Sequence, residues 1–471
     1  MSWQATKVVC TLGPATDAPG VLEALTAAGM DVARLNLSHG TLEEHARRIT
    51  QVREMSHQIG RPVGILADLP GPKYRLGEIP GGSRELRDGA RVYLAPQAAA
   101  GDVLPIAERA LLEALRAGEC VYLADGAIRL KVTSTAVGRV ACEVVAGGTV
   151  HSGSGVNVPQ LDMPGIVPTE HDRALLTFAV AHGVDWIGVS FVQHADDLAR
   201  VRACLPDRGA APLLMAKIEK RRAVETLDAV VEAADGVMVA RGDLGVETDV
   251  AEIPLVQKRI IAAANARARP VVTATQMLES MVEHERPTRA EVTDIANAVL
   301  DGTDAVMLSA ESAIGKQPLA AVHVLRRVIA ATLGAYAPAM ARARLEPQTA
   351  VAGEAAVGFA ACQLAERLGA RAIIAHVQGL SQAAAIARFR PRAPIVALAP
   401  SGACRALTLI SGVLPLGAVP GSEAVAGNWL YANGLASPGD PAVVVSSSPE
   451  AGGNADTLRV VRLPARSSSG F

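Results

Sequence analysis

Short apolar runs alternate along this chain with longer stretches in which apolar residues recur every three or four positions, a rhythm that begins near Lys7. Short runs apolar throughout suit strands buried on both faces, and the longer period suits helices with one buried stripe. Eight runs predict strands at 8–11, 32–35, 63–67, 186–190, 213–217, 236–240, 271–275 and 305–309. Helical patterns at 43–60, 172–182, 223–233, 256–269 and 289–300 separate most of them. Eight strand–helix units favour a closed (β/α)8 TIM barrel over an open doubly wound sheet.

One interval breaks the rhythm. More than 100 residues rich in Gly and Val lie between the third and fourth predicted strands, with strand-like pieces at 91–93, 121–123 and 139–145. They predict a small β-barrel lid domain at 72–166, inserted between barrel segments 1–71 and 167–340. The stretch from Ala337 to Thr349 reads as a linker. A new pattern follows, with helices at 355–368 and 381–387 and strands at 372–375 and 442–446, which predicts a C-terminal α/β regulatory domain at 346–471.

The chain is 50% hydrophobic but only 3% aromatic, so its cores must be filled by small aliphatic side chains. A net charge of −2 without basic blocks argues against nucleic-acid or membrane partners and favours small-molecule chemistry. The six cysteines lack CxxC or zinc-ligand spacing and read as buried thiols of a reducing compartment. With no signal-peptide pattern ahead of the first strand, the expected location is cytoplasmic.

The fifth predicted strand leads into Lys217-Ile218-Glu219. Successive side chains of an extended chain face opposite ways, so Lys217 and Glu219 share one face. The sixth runs into Arg241-Gly242-Asp243, setting Asp243 just past a strand's carboxyl end. Glu219 and Asp243 are then candidates to share a hard divalent cation, with Lys217 neutralising a transferring phosphoryl group. Taken alone, a Lys-x-Glu pair is more often a solvated face.

Barrel active sites lie at the carboxyl ends of the strands, where further polar residues gather here. Arg34, Asn36 and Ser38 alternate at the end of the second predicted strand, with His39 opening the turn; helix caps and loop contacts are the alternative. Asp68 follows the third, Thr275 ends the seventh, and Ser309 with Glu311 closes the eighth. The 241–245 segment offers backbone N–H groups to a carboxylate or phosphate, or is a plain turn.

Several long segments carry a family likeness: Thr6 to Ala15 (TKVVCTLGPA), Ala33 to Gly40 (ARLNLSHG), Ala216 to Glu219 (AKIE), Val239 to Glu247 (VARGDLGVE), Thr273 to Met281 (TATQMLESM) and Ala298 to Glu311 (AVLDGTDAVMLSAE). In order and spacing they resemble the signatures of pyruvate kinase. The resemblance covers nearly the whole chain, most strongly the barrel. It implies a glycolytic enzyme that transfers the phosphoryl group of phosphoenolpyruvate to ADP, giving pyruvate and ATP. It further implies a homotetramer using Mg2+ or Mn2+.

By that resemblance Glu219 and Asp243 would hold the metal, while Lys217 and Arg34 would stabilise the phosphoryl group in flight. Backbone N–H groups of Gly242 and Asp243 would receive the substrate carboxylate. Thr275 would relay a proton through water, with Ser309 and Glu311 as further relay candidates. Asn36, Ser38, His39 and Arg75 would line the nucleotide-phosphate side, and the inserted domain would close as a lid that excludes water.

The chain departs from the family in three places. Many members carry Asp-Thr-Lys-Gly-Pro-Glu-Ile-Arg after the third strand, where this chain has Asp68 to Arg75 (DLPGPKYR). In K+-requiring members the threonine helps to bind that ion and the glutamate lies close by. Leu69 removes the oxygen and Lys73 brings a fixed cation, which predicts activity without K+ if Lys73 points inward rather than to solvent. His171 stands where a lysine is usual, which predicts a weaker or pH-sensitive phosphate contact. The effector loop, often Thr-Glu-Ser-Gly-Arg-Thr, is His376 to Ser381 (HVQGLS), and the later Ser446 to Gly453 (SSSPEAGG) also lacks an arginine. Both departures predict no activation by fructose 1,6-bisphosphate, although Ser381 and Ser446 to Ser448 could serve another phosphate. Two rival readings are a metal-dependent barrel lyase acting on oxaloacetate-like substrates and a catalytically dead metabolite sensor.

Overall fold

The computed structural model describes residues 5–97, 102–124, 126–161, 167–206, 211–344, 353–417, 423–447 and 455–465, with side chains described to 335 in the long helix that ends at Arg344. Eight parallel strands close a barrel: β1 (Lys7–Leu12), β2 (Val32–Asn36), β3 (Gly64–Asp68), β4 (Trp186–Val189), β5 (Leu213–Ile218), β6 (Gly236–Ala240), β7 (Val271–Ala274) and β8 (Ala305–Leu308). Around the barrel each strand pairs with its neighbours in sequence, and β1 pairs with β8. Nearly every strand residue is buried, which is why the strands read as uninterrupted apolar runs.

The two-residue period of the strands sorts the barrel interior into levels. Val9, Val32, Leu66, Trp186, Met215, Met238, Val272 and Met307 form one apolar cluster, separate from the larger cluster shared with the helices. Two residues further along several strands, the inward position turns polar: Thr11 after Val9, Arg34 after Val32, Asp68 after Leu66 and Lys217 after Met215. The apolar plug keeps water below, and the polar level lies at the carboxyl ends. A Cβ added to Gly188 would lie 3.3 Å from Asp68 Oδ1, so the absence of a side chain there makes room for the carboxylate.

Between β3 and β4 lies a seven-stranded mixed sheet accompanied by a two-stranded one, with its own core that includes Leu94, Leu104, Leu123, Leu130 and Val140. The C-terminal domain is a five-stranded sheet in which Val413–Gly417, Ile395–Ala399, Ala372–His376 and Pro441–Ser446 run parallel and Thr457–Arg462 closes the edge antiparallel. It docks beneath the barrel. Trp186 Nε1 donates to Ala406 O at 3.1 Å, Lys7 Nζ to Val413 O at 2.7 Å, and Arg390 grips both oxygens of Asp304 at 2.6 and 2.8 Å.

Two expectations change. The helix predicted at 223–233 is two helices, Arg221–Glu225 and Leu227–Ala233, broken at Thr226, whose hydroxyl bonds to Gln193 O at 2.9 Å. The stretch expected as a linker is helical as far as Arg344, because Pro318–Arg344 runs on through Ala337 and Pro338; 345–349 lie outside the described residues. Alanine-rich sequence favours helix strongly enough to carry it past one proline. That helix is long and apolar enough over Pro318–Ala335 to cross a membrane, yet its Ala321, Val322, Leu325 and Ile329 are packed into the barrel's core.

The Arg390–Asp304 pair is buried, its side chains 10% and 3% exposed. In Arg390→Met the Asp304 carboxylate keeps only the N–H groups of Val271 and Ser411. Breaking a buried pair typically costs about 3 kcal/mol or more. Denaturant unfolding of that variant is expected to show such a loss; an unchanged midpoint would mean the pair does not secure the docking.

Candidate active site

Asp68, 1% exposed, is the centre of the polar level. Its Oδ2 accepts from Arg34 Nε at 2.8 Å and Nη2 at 2.6 Å, while Lys217 Nζ lies 2.9 Å from its Oδ1. Arg34 Nη1 also donates to Thr11 Oγ1 at 2.9 Å. Burial alone would raise the pKa of Asp68, but Lys217 and Arg34 outweigh it and hold the carboxyl below its ordinary range. Burial likewise works against the charge on Lys217, and Asp68 and Glu219 more than reverse it, leaving that ammonium firmly protonated.

Lys217 also lies 2.9 Å from Glu219 Oε1 and donates to Ser190 Oγ at 2.6 Å. Glu219 Oε2 accepts the Phe191 N–H at 2.7 Å. To present that N–H, Phe191 takes a φ of 56°, in the left-handed region that side chains rarely enter. Burial first, with the nearby Asp243 charge adding to it, pushes the Glu219 pKa above the usual carboxylate range.

Asp243 lies in the first turn of the short helix Arg241–Glu247 that follows β6. Lys73 Nζ stands 3.3 Å from its Oδ1, both side chains about a quarter exposed at 26% and 27%, so Lys73 is turned toward Asp243. Glu219 and Asp243 are hard oxygen donors whose mutual repulsion raises the Glu219 pKa, and a divalent cation between them would relieve it. Among the described residues no three His, Cys, Asp or Glu side chains gather as a closed metal site. Two carboxylates fit an Mg2+-like ion that keeps positions for water and substrate oxygens.

Thr275 and Gln276 follow β7 with φ of 65° and 55°, a second strained turn. Arg241 holds it from below: its guanidinium donates to Ala274 O at 3.2 Å, to Thr275 O, and to Asp294. The turn aims Thr275 Oγ1 at the Gly242 N–H, which it accepts at 3.0 Å, and donates that hydroxyl to Ala274 O at 2.7 Å. Both oxygens of Glu311 are taken by backbone donors, Leu278 N at 3.0 Å and Ser309 N at 2.7 Å. Glu311 therefore straps two loops together, and Ser309 Oγ is buried without a hydrogen-bond partner.

The remaining sequence candidates are more open. Asn36 Oδ1 accepts from Ser38 N at 3.3 Å; Ser38 and His39 are exposed. Arg75 is exposed on a lid strand, bonded to Gly153 O at 3.0 Å. His171 is exposed beside the Thr169–Asp172 capping box. Beside the short helix, a cleft of about 970 Å³ runs between Tyr122, Gly126 and Gln160 of the lid and Gly242, Glu247 and Gln276 of the barrel. Ser190 and Lys220 carry no motif that singles them out, and Arg241, though inside the Arg241-Gly242-Asp243 motif, has no role of its own that the sequence indicates. Only the inward alternation from Trp186 through Gly188 could have pointed to Ser190.

The chain matches the family models "Pyruvate kinase, barrel domain" over residues 3–322 and "Pyruvate kinase, alpha/beta domain" over residues 355–461. It is 45% identical over 342 residues to a pyruvate kinase of Thermococcus litoralis, covering 72% of each chain. It is 42% identical over 418 residues to one of Methylorubrum extorquens, covering 87% of this chain and 86% of that one. A Mycobacterium tuberculosis pyruvate kinase is 42% identical over 393 residues, covering 83% of this chain and 82% of that one. With barrel, inserted sheet and C-terminal domain in the family's order, the chain belongs to the pyruvate kinase family, enzymes of the transferase class.

Proposed function

We propose that this chain transfers the phosphoryl group of phosphoenolpyruvate to ADP at the carboxyl end of the barrel, releasing pyruvate and ATP. The observation that carries the reading is Asp68 holding Arg34 and Lys217 together beside Glu219. Two cations at fixed separation match a group whose charge spreads over several oxygens as the bond to the enol oxygen breaks and that to the ADP oxygen forms. Glu219 and Asp243 would hold Mg2+ or Mn2+, which supplies charge neutralisation at the phosphoryl and carboxylate oxygens. Gly242 and Asp243 offer N–H groups to the substrate carboxylate. As the carboxylate takes the Gly242 N–H, Thr275 Oγ1 gains a free lone pair to accept a proton from water while its own proton, turned away from Ala274 O, would pass through water to the enolate carbon. Asn36, Ser38, His39 and Arg75 would meet the nucleotide phosphates as the lid closes.

In the same reading Lys73 supplies the positive charge that other family members take from K+. Its contact with Asp243 supports this, as does Leu69, 2% exposed and without an oxygen to offer. At the effector loop one backbone donor that a phosphate could use is already taken, because Gln382 Oε1 accepts the Gln378 N–H at 2.5 Å. The second loop, from Ser448 to Gly453, lies outside the described residues. The proposed homotetramer rests on family membership; Leu255, 67% exposed within the helix Ile253–Ala266, is an apolar position that assembly would cover. The six free thiols, four of them buried, suit a cytoplasmic location.

Pyruvate release from phosphoenolpyruvate, ADP and Mg2+ is expected at full rate in potassium-free buffer, and in Lys73→Glu only after KCl is added. A wild-type rate that needs KCl would sink the Lys73 argument while keeping the enzyme; no turnover in either buffer would remove the activity itself. Added fructose 1,6-bisphosphate is expected to leave the substrate saturation curve unmoved, and a leftward shift would count against the loop argument.

Asp68→Asn should lower kcat/KM by about a hundredfold, since both phosphoryl-binding cations lose their shared anchor. Because the folded-state pKa of Asp68 is depressed, its stabilisation is complete above the unfolded carboxylate range and is lost as pH falls through the folded value. The acid limb of wild-type stability should therefore flatten in the variant. An unchanged kcat/KM would show that Arg34 and Lys217 are placed without Asp68.

A further inference from the structure

The helix Arg241–Glu247 carries Asp243 near one end and Glu247 at the other. Glu247 Oε1 lies 2.7 Å from Lys220 Nζ, with the side chains 1% and 13% exposed. Lys220 directly follows Glu219. Its ammonium stands 5.7 Å from the centre of the Phe191 ring, and Phe191 is the residue whose N–H holds Glu219 Oε2. One buried ion pair thus joins the two segments that bear the two carboxylates, and its cation packs on the residue that orients one of them. Asn157, on the strand Gly155–Asn157 by which the lid returns, is a further polar neighbour of Glu247, whose Oε2 is buried without a hydrogen-bond partner.

Nothing in the phosphoryl transfer uses this pair, and burying it is not a gain in itself. Desolvating two charges costs about as much as their attraction returns, so an apolar pair of similar size would serve stability equally well. A fixed distance is what such a pair provides and an apolar contact does not.

We propose that Lys220 and Glu247 are positioning residues that set the separation of Glu219 and Asp243, and thereby the affinity of the site for its divalent cation. The proposal rests on the reading that those two carboxylates hold the cation. Residues that orient metal ligands typically alter affinity on the order of 10- to 100-fold when removed.

The test is a Mn2+ titration of the full chain without substrates, following the electron paramagnetic resonance signal of the free ion. Glu247→Gln and Lys220→Met should each weaken Mn2+ binding by about tenfold. The double variant should be no weaker than either, because both remove one interaction. Lys220→Arg, which keeps the charge, should recover most of the affinity. In turnover the Mg2+ concentration for half-maximal rate should rise in proportion, with kcat at saturating Mg2+ nearly unchanged. Mn2+ affinity within twofold of wild type in both single variants, with only the thermal midpoint lowered, would overturn the proposal, as would additive losses in the double variant. If Glu247→Gln does not fold, Glu247→Asp decides: it withdraws the carboxylate by one methylene and should still weaken Mn2+ binding severalfold, and wild-type affinity there would refute the clamp. Asp243→Asn separates the two claims, because wild-type Mn2+ binding in that variant would mean the metal-ligand reading has failed rather than the clamp.

Discussion

A carboxylate almost wholly removed from water survives in charged form only if cations surround it, and Asp68 has two. Arg34 comes from β2 and Lys217 from β5, strands that are not neighbours in the barrel. Asp68 on β3 accepts from both with different oxygens, so neither cation can relax away without stranding the anion. The arrangement is self-locking, because each buried charge is tolerable only while the others stay in place. Arg34 and Lys217 would otherwise repel one another at the point where the proposed phosphoryl transfer would use both.

The rest of the barrel can be understood as support for that cluster. Trp186 and the three methionines at its level fill the interior below, so the polar level has a dry floor. Three of the six described non-glycine residues with left-handed φ sit at the rim, the others being Ala124, Ala268 and Arg390. Phe191, Thr275 and Gln276 all take left-handed φ values, and each turn is tied by a side chain from another strand: Glu219 on the Phe191 N–H, Arg241 on the Thr275 carbonyl. Such conformations cost of order 1–3 kcal/mol each, and here they aim an N–H and a hydroxyl at the site. The same carboxylate that would bind a metal therefore also holds a strained loop, which links the site's electrostatics to its backbone.

How much of this could be read beforehand depended on whether the signal was local. The eight strands were legible to within a few residues because strands covered on both faces leave unbroken apolar runs. Lys217 and Glu219 were legible as a pair because a two-residue spacing fixes a shared face. Thr275 and Ser309, expected as strand ends, lie just past them, because the chain leaves the strand there and no propensity marks a left-handed turn in a threonine. The break at Thr226 escaped for a similar reason: it depends on a hydroxyl reaching Gln193, 33 residues away. Ser190, Lys220 and Glu247 were invisible as partners because each acts across strands, and pairing between strands is a property of barrel register.

The lid adds a constraint that the barrel alone does not. Its outgoing chain carries Lys73 to Asp243, and its returning strand carries Asn157 to Glu247, so the two crossings reach opposite ends of one seven-residue helix. That helix also supplies the N–H groups proposed for the substrate carboxylate. A lid hinged on an unrelated surface could move without consequence for the chemistry. Here a lid that closed as proposed would carry the Lys73 ammonium relative to Asp243 and the Asn157 amide relative to Glu247. In the proposed reading, lid position and cation site would be coupled through these direct contacts, with no need for a longer path through the core.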